Sequence, residues 1–263
     1  MSGTFVTVYT SEPDTLKMKN YNIQRRGVLI MKCIGIIGAM EQEVAKIKEK
    51  MQDVTITSRA RMDFYEGTLE GKKVVVVRSG IGKVNAGMCT QILADVYHVE
   101  AVINTGIAGS LNKDINIGDI VLSTDVVQHD MDATGFGYRK GQIPQMPVFY
   151  FAADEKLRQL AAEVCREVNP DIQVFEGRIA SGDQFVCDQG VKDGIVSEFA
   201  AYATEMEGAA IGQAAYLNEI PFLVIRAISD KADGSAQMDY SEFEKKAIEH
   251  SVKLTLNMLA RLA

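Results

Sequence analysis

The chain has 263 residues, 47% hydrophobic and 24% charged, enough for one large α/β domain with a substantial core. Its net charge of −7 argues against a nucleic-acid surface, which needs a basic stripe, and no apolar run is long enough to span a membrane. The four cysteines, Cys33, Cys89, Cys165 and Cys187, form no C-x-x-C pair, which excludes the common zinc spacings and points to reduced thiols in a cytoplasmic protein.

In chain order, residues 1–30 lack the continuous apolar stretch of a signal peptide, contain Glu12 and Asp14, and carry Arg25-Arg26 at the wrong end for one. Met31 immediately precedes the first strong strand, so 1–30 reads as a dispensable extension and 31–263 as a single domain. Buried strands rich in Val and Ile are expected at 32–39, 73–79, 101–105, 117–127 and 221–228, with another at 174–181. Residues 63–69 read as a half-exposed hairpin partner of 73–79, turning at Glu70-Gly71. Helices are expected at 41–50, 83–97, 154–168, 205–217 and 241–262. Asp154 is placed to cap the third, and Ser241 with Glu244 forms a capping box for the last. Residues 129–150, rich in Gly, Pro and aromatics, read as a functional or interface loop. This alternation implies an α/β domain around a largely parallel but mixed sheet.

Several strands end in polar clusters. Residues 221–228 run into Ser229-Asp230 and carry Arg226; 33–40 run into Glu41-Gln42-Glu43; 101–104 run into Thr105-Gly106-Ile107-Ala108-Gly109; and Glu205-Met206-Glu207-Gly208 opens a small-residue helix. Open α/β sheets build active sites at such strand ends, and carboxylates from separate segments suggest acid/base chemistry on a small molecule. Each has a plainer reading: Glu43 complements a helix dipole, Asp230 caps the segment after its strand, and Glu207 is a solvated helix residue. Gly80-Ile81-Gly82-Lys83 fails both as a phosphate loop, since Val84 follows Lys83, and as a dinucleotide fingerprint, since Asn85 stands where the third glycine belongs; a tight turn approaching a ligand remains. His129-Asp130-x-Asp132 has no second ligand cluster and reads as a polar loop, so no metal is expected.

Together, Gly38-Ala39-Met40-Glu41-Gln42-Glu43-Val44, Ser79-Gly80-Ile81-Gly82-Lys83-Val84, Asn104-Thr105-Gly106-x-Ala108-Gly109, Ser181-Gly182-Asp183-x-Phe185, Glu205-Met206-Glu207 and Arg226-Ala227-Ile228-Ser229-Asp230 resemble, in this order, the motifs of the 5′-methylthioadenosine/S-adenosylhomocysteine nucleosidase family. The resemblance covers essentially residues 31–263. It implies a three-layer α/β fold of the nucleoside phosphorylase type, a twisted mixed sheet or distorted barrel surrounded by helices. It implies hydrolysis of the N-glycosidic bond between adenine and a 5′-thio-substituted ribose, with no cofactor.

By position in the motifs, Asp230 is implied to be the acid that protonates the purine at N7, supported by Ser229, and Glu43 the base that holds the water. Arg226 is implied to position that water and the carboxylates. Glu207 is implied to bind the ribose hydroxyls with Met206 against the sugar, Phe185 to stack on adenine, and the Val186 backbone to read its edge. Met40 and Ile81 fit an apolar wall around the 5′-thio group, and Ala108 belongs to the same pocket. The loop 129–150 resembles one contributed by a neighbouring subunit, so Phe136, Tyr138 and Pro144 would cover the partner's substrate tail in a homodimer; Tyr240 matches an aromatic over the 5′ end. Loop packing accounts for these aromatics equally well. Ile107 departs from the family, which has Ser or Thr there, and Ala133 makes the tail pocket roomier. A phosphorylase of the same superfamily, a futalosine-type nucleoside hydrolase and a non-enzymatic nucleoside sensor are the competing readings. Glu43 near the reacting carbon disfavours phosphate, and a sensor would not need both an acid and a base.

Overall fold

The computed structural model describes residues 31–231 and 240–262. The extension over 1–30 and the side chains of Tyr240 and of the capping residue Ser241 lie outside the described residues. The elements run β1 (Ile34–Gly38), α1 (Glu41–Lys48), β2 (Gln52–Arg59), β3 (Met62–Leu69), β4 (Lys72–Arg78), α2 (Lys83–Tyr97), β5 (Ala101–Ser110), β6 (Ile120–Gln128), β7 (Phe151–Ala152), α3 (Glu155–Val168), β8 (Val174–Ser181), α4 (Gln189–Phe199), β9 (Ala203–Glu205), α5 (Gly208–Leu217), β10 (Phe222–Asp230) and α6 (Tyr240–Arg261).

The strands form one mixed sheet. β10, β6, β8, β9 and β5 are linked pair by pair, and β10 pairs again with β5, which closes a ring. β1, β4, β3 and β2 extend the sheet from β5. The helices surround this distorted barrel, as the family resemblance implies. The uninterrupted burial of β1 and of Val74–Val77 in β4 follows from their helix-covered, parallel pairing. The β3–β4 turn is the expected one: Leu69 pairs with Lys72, and Glu70 and Gly71 both take positive φ, +49° and +73°, as a tight hairpin requires. Asp154 caps α3, its carboxylate accepting the Leu157 N–H at 2.9 Å, and the helix buries Leu157, Ala161, Val164 and Cys165.

Several elements differ from expectation. β5 continues past Thr105 to Ser110, because β10 pairs with it from Val102 to Gly109 and supplies hydrogen bonds through the glycine-rich stretch. β2 is exposed at every position, and its apolar alternation is confined to Val54 and Ile56. α4, interrupted by Gly190 and Gly194, and the three-residue β9 also lacked a clear pattern. The helix expected from 205 begins at Gly208, since Glu205 ends β9 and Glu207 is the N-cap. The loop 129–150 contains one 3₁₀ turn, Thr134–Phe136, and Asp130 within it is ion-paired to Lys83 at 2.6 Å. Among the described residues no helix is long and apolar enough to cross a membrane.

Candidate active site

The strand ends converge on a cleft of about 190 Å³, lined by Met40, Glu43, Ile81, Ile107, Ala108, Gly109, Phe185, Thr204, Glu205, Met206, Glu207, Ser229 and Asp230 together with Ala39. Ten of the residues expected from the motifs therefore share one wall-to-wall space: Met40, Glu43, Ile81, Ile107, Ala108, Phe185, Met206, Glu207, Ser229 and Asp230. Phe185 is 71% exposed at its mouth.

Glu43 sits in the first turn of α1, where its side chain folds back on its own N-terminus. Oε2 accepts the N–H groups of Ala39 and Met40 at 2.7 and 2.9 Å, and Oε1 accepts that of Ile107 at 3.1 Å. Burial pushes the carboxyl above its ordinary range, and Arg226 and these three N–H groups only partly counter it. A raised proton affinity suits a group that must draw a proton from water. Position 107 thus serves Glu43 through its backbone, while the Ile107 side chain packs at the edge of the main core.

Arg226 lies behind the cleft and is 1% exposed. It donates to Glu205 through Nε at 3.2 Å and through a short bond from Nη2, and Nη2 also donates to Asn104 Oδ1 at 2.6 Å. Glu205 accepts in addition from the Ser181 hydroxyl and from the N–H groups of Glu207 and Gly208. Burial alone would raise the Glu205 carboxyl, but Arg226, Ser181 and the Gly208 N–H outweigh it and hold it below its ordinary value. Glu207 has the opposite fate. Its Oε1 accepts the Gly82 N–H at 2.8 Å and its Oε2 stands 3.7 Å from Arg226. Burial and the neighbouring Glu205 charge push it up to about 7. One guanidinium faces three buried carboxylates, and the imbalance falls on Glu43 and Glu207, both held above their ordinary range.

Glycine makes this crowding possible. A Cβ at Gly106 would stand 2.7 Å from Arg226 Nη1 and closer still to Glu43, and one at Gly109 would stand 3.0 Å from Asp230 Oδ2. Asp230, at the end of β10, accepts from the Ser229 hydroxyl at 3.2 Å on Oδ1 and from Lys192 Nζ at 3.2 Å on Oδ2.

The remaining expected residues are elsewhere. Val186 is buried beside Ile195 and Phe199 under α4. Phe136, 87% exposed, Tyr138 and Pro144 do not line their own chain's cleft, and nothing of the Tyr240 side chain is described. Sequence reasoning missed the roles of Glu205 and Lys192 and the presence of Thr204. Glu205 stood inside a recognised motif; Lys192 had no signal, because its helix had none. Among the described residues no group of His, Cys, Asp and Glu could hold a metal ion.

The phosphorylase superfamily model matches residues 33–261. A 5′-methylthioadenosine/S-adenosylhomocysteine nucleosidase of Anoxybacillus flavithermus is 49% identical over 230 residues, 87% of this chain and 98% of the relative. One of Staphylococcus carnosus is 43% identical, covering 87% of this chain and all of its own length (100%). The crystal structure of the Neisseria meningitidis nucleosidase with methylthio-immucillin-A aligns with TM-score 0.82 at 41% identity, over 87% of this chain and 99% of that one. A Helicobacter pylori futalosine hydrolase aligns with TM-score 0.81 at 37% identity, over 87% and 97%. The chain belongs to the phosphorylase superfamily and, within it, to the family of 5′-methylthioadenosine/S-adenosylhomocysteine nucleosidases.

Proposed function

We propose that this protein hydrolyses the N-glycosidic bond of 5′-methylthioadenosine and S-adenosylhomocysteine, and of 5′-deoxyadenosine, releasing adenine and the 5′-substituted ribose. The observation that carries the reading is the delivery of Glu43 from α1 and Asp230 from β10 into one cleft. The scissile bond needs both: an acid to make adenine a neutral leaving group, and a base to generate the nucleophile as the ribosyl carbon becomes cationic. Asp230 gives its proton to purine N7 as the C1′–N9 electron pair passes into the ring. Glu43, fixed by three backbone N–H groups, takes a proton from the attacking water. Glu207 accepts from the ribose hydroxyls and, when ionised, favours the developing positive charge. Phe185 stacks on the base, the Val186 backbone reads its edge, and Met40, Ile81 and Met206 enclose the sugar and its thio substituent.

Water rather than phosphate is the acceptor. Glu43, Glu205 and Glu207 outnumber Arg226, which is itself sequestered by Glu205, so among the described residues no cation lines the cleft wall to hold an anion. The active form is a homodimer in the cytoplasm. Val84, Met88 and Val96 on α2 and Tyr216 and Leu217 on the neighbouring α5 are exposed apolar residues suited to a subunit interface. The partner's Phe136, Tyr138 and Pro144 then cover the substrate tail. Residues 1–30 are dispensable to this unit. Adenine release from methylthioadenosine, adenosylhomocysteine, 5′-deoxyadenosine and aminofutalosine, with and without phosphate, tests the reading. Phosphate-independent release from the thio-nucleosides is expected; release that requires phosphate, or that is confined to aminofutalosine, overturns it.

A further inference from the structure

Lys192 is the one buried lysine among the described residues, 3% exposed on α4. Its ammonium donates to Asp230 Oδ2 at 3.2 Å and to the carbonyl of Lys231 at 3.0 Å. Both acceptors belong to the end of β10, although Lys192 is carried by the helix that follows Phe185 and Val186 in the chain. It is not among the residues that line the cleft, so it reaches the carboxylate from behind the face open to a ligand. Burying an ammonium is costly unless it is paired, so the contact is one the fold maintains rather than a chance surface pairing.

Resting on the assignment of Asp230 as the acid, we infer that Lys192 is a positioning residue that fixes which oxygen of Asp230 carries the proton and stabilises the carboxylate left when that proton is given up. Oδ2 faces a permanent donor, and an ammonium cannot accept a proton back from a carboxylic O–H. The transferable proton therefore resides on Oδ1, the oxygen beside the Ser229 hydroxyl. Gly109, whose Cβ would stand 3.0 Å from Oδ2, lets β5 pack against the carboxylate and limits its rotation. When N7 takes the proton, Asp230 becomes negative beside a positive charge already in place, so the transfer needs no reorganisation of solvent.

The charges around the pair do not duplicate this role. Glu43 on α1, Glu205 on β9 and Glu207 at the head of α5 line the same cleft and are all acidic. Arg226, on β10 itself, is engaged by Glu205 and Asn104. On α4, the Asp188 carboxylate caps its own helix by accepting the Val191 N–H, and Asp193 accepts from Gln189. Lys231 contributes its carbonyl to Lys192.

The effect has a signature that lost packing cannot imitate. A cation this close stabilises the carboxylate that the transfer leaves behind, and it acts on the transfer step rather than on substrate binding. Lys192→Met should lower kcat about 10-fold or more while KM changes far less, and Lys192→Arg, which keeps the charge, should recover most of the lost kcat. Lys192→Gln serves the same measurement should the Met variant not fold. A kcat loss that Lys192→Arg does not recover, or a wild-type kcat in Lys192→Met with native melting, overturns the inference. Asp230→Asn is run alongside: wild-type turnover there removes Asp230 as the acid, a failure distinct from an unchanged kcat in the Lys192 variants.

Discussion

Glu207 offers the sharpest test of the buried charge cluster, because its carboxyl is raised from 4.5 to about 7 in the folded protein. The folded state then binds more protons than the unfolded chain between these two values, so stability falls as pH rises from about 4.5 to 7 and is level above that. The difference of about 2.5 units, at 1.36 kcal/mol each, amounts to about 3 kcal/mol lost at alkaline pH. Glu207→Gln keeps an oxygen for the Gly82 N–H and abolishes the titration. The variant should therefore be more stable than wild type by about 3 kcal/mol at pH 8.5 but by only about 1 kcal/mol at pH 5, where the native carboxyl already holds its proton. For a chain of this length each kcal/mol moves Tm by roughly 2–4 °C, so calorimetry should show a gain of roughly 6–12 °C at the higher pH and a small one at the lower. Turnover should drop, because on the proposed reading the group that binds the ribose then carries no charge. Equal gains at both pH values, or a loss at pH 8.5, would refute the reasoning.

Three further outcomes are expected. Glu43→Gln should cut kcat by at least about 10²-fold yet still bind adenine by calorimetric titration, since on the proposed reading Phe185, Asp230 and the Val186 backbone hold the base; retained hydrolysis with lost adenine affinity would reverse the assignment. Ile107→Ser should leave the N–H to Glu43 intact but remove apolar contact at the core edge, lowering stability by about 1–3 kcal/mol in thermal melts with no gain in kcat/KM; faster turnover with an unchanged melt would show that the missing hydroxyl limits the enzyme. Thr204 is buried with an unpartnered hydroxyl, so the isosteric Thr204→Val should raise stability by about 1 kcal/mol; a lowered Tm would mean that the hydroxyl is satisfied.

What the sequence discloses depends on whether a feature is local. β1, β4 and β10 are legible because strands covered on both faces are apolar throughout, and α3 because its stripe and its Asp154 cap lie within one stretch of chain. β2 is hard to read because an edge strand exposed at every residue offers no buried run, only the short alternation of Val54 and Ile56 with Thr55 and Thr57. The continuation of β5 through Gly106 and Gly109 reads as a turn, since the hydrogen bonds that keep it extended come from β10, more than a hundred residues away. The site divides in the same way. Glu43, Glu207 and Asp230 announce themselves by motif. The pairing of Glu205 with Arg226 and of Lys192 with Asp230 exists only across space, and the raised Glu207 carboxyl follows from its burial beside the Glu205 charge, which no local pattern shows.

The ring closure between β5 and β10 has a consequence for how the site can fail. β5 pairs with β1 along its first part, with β10 from Val102 to Gly109 and with β9 at its end, so the strands bearing Glu205 and Asp230, and the one leading into Glu43, all meet this single strand. The carboxylates of the cleft cannot loosen one at a time without parting the seam, which is also the heart of the core. Their amides should therefore exchange with deuterium only as slowly as the whole molecule opens, whereas the segment around the exposed Phe185 is free to breathe on its own. An inactivating mutation on β5 is, for the same reason, a folding mutation: partial loss of activity should come with fewer intact molecules, each as active as before, rather than with a full complement of impaired ones.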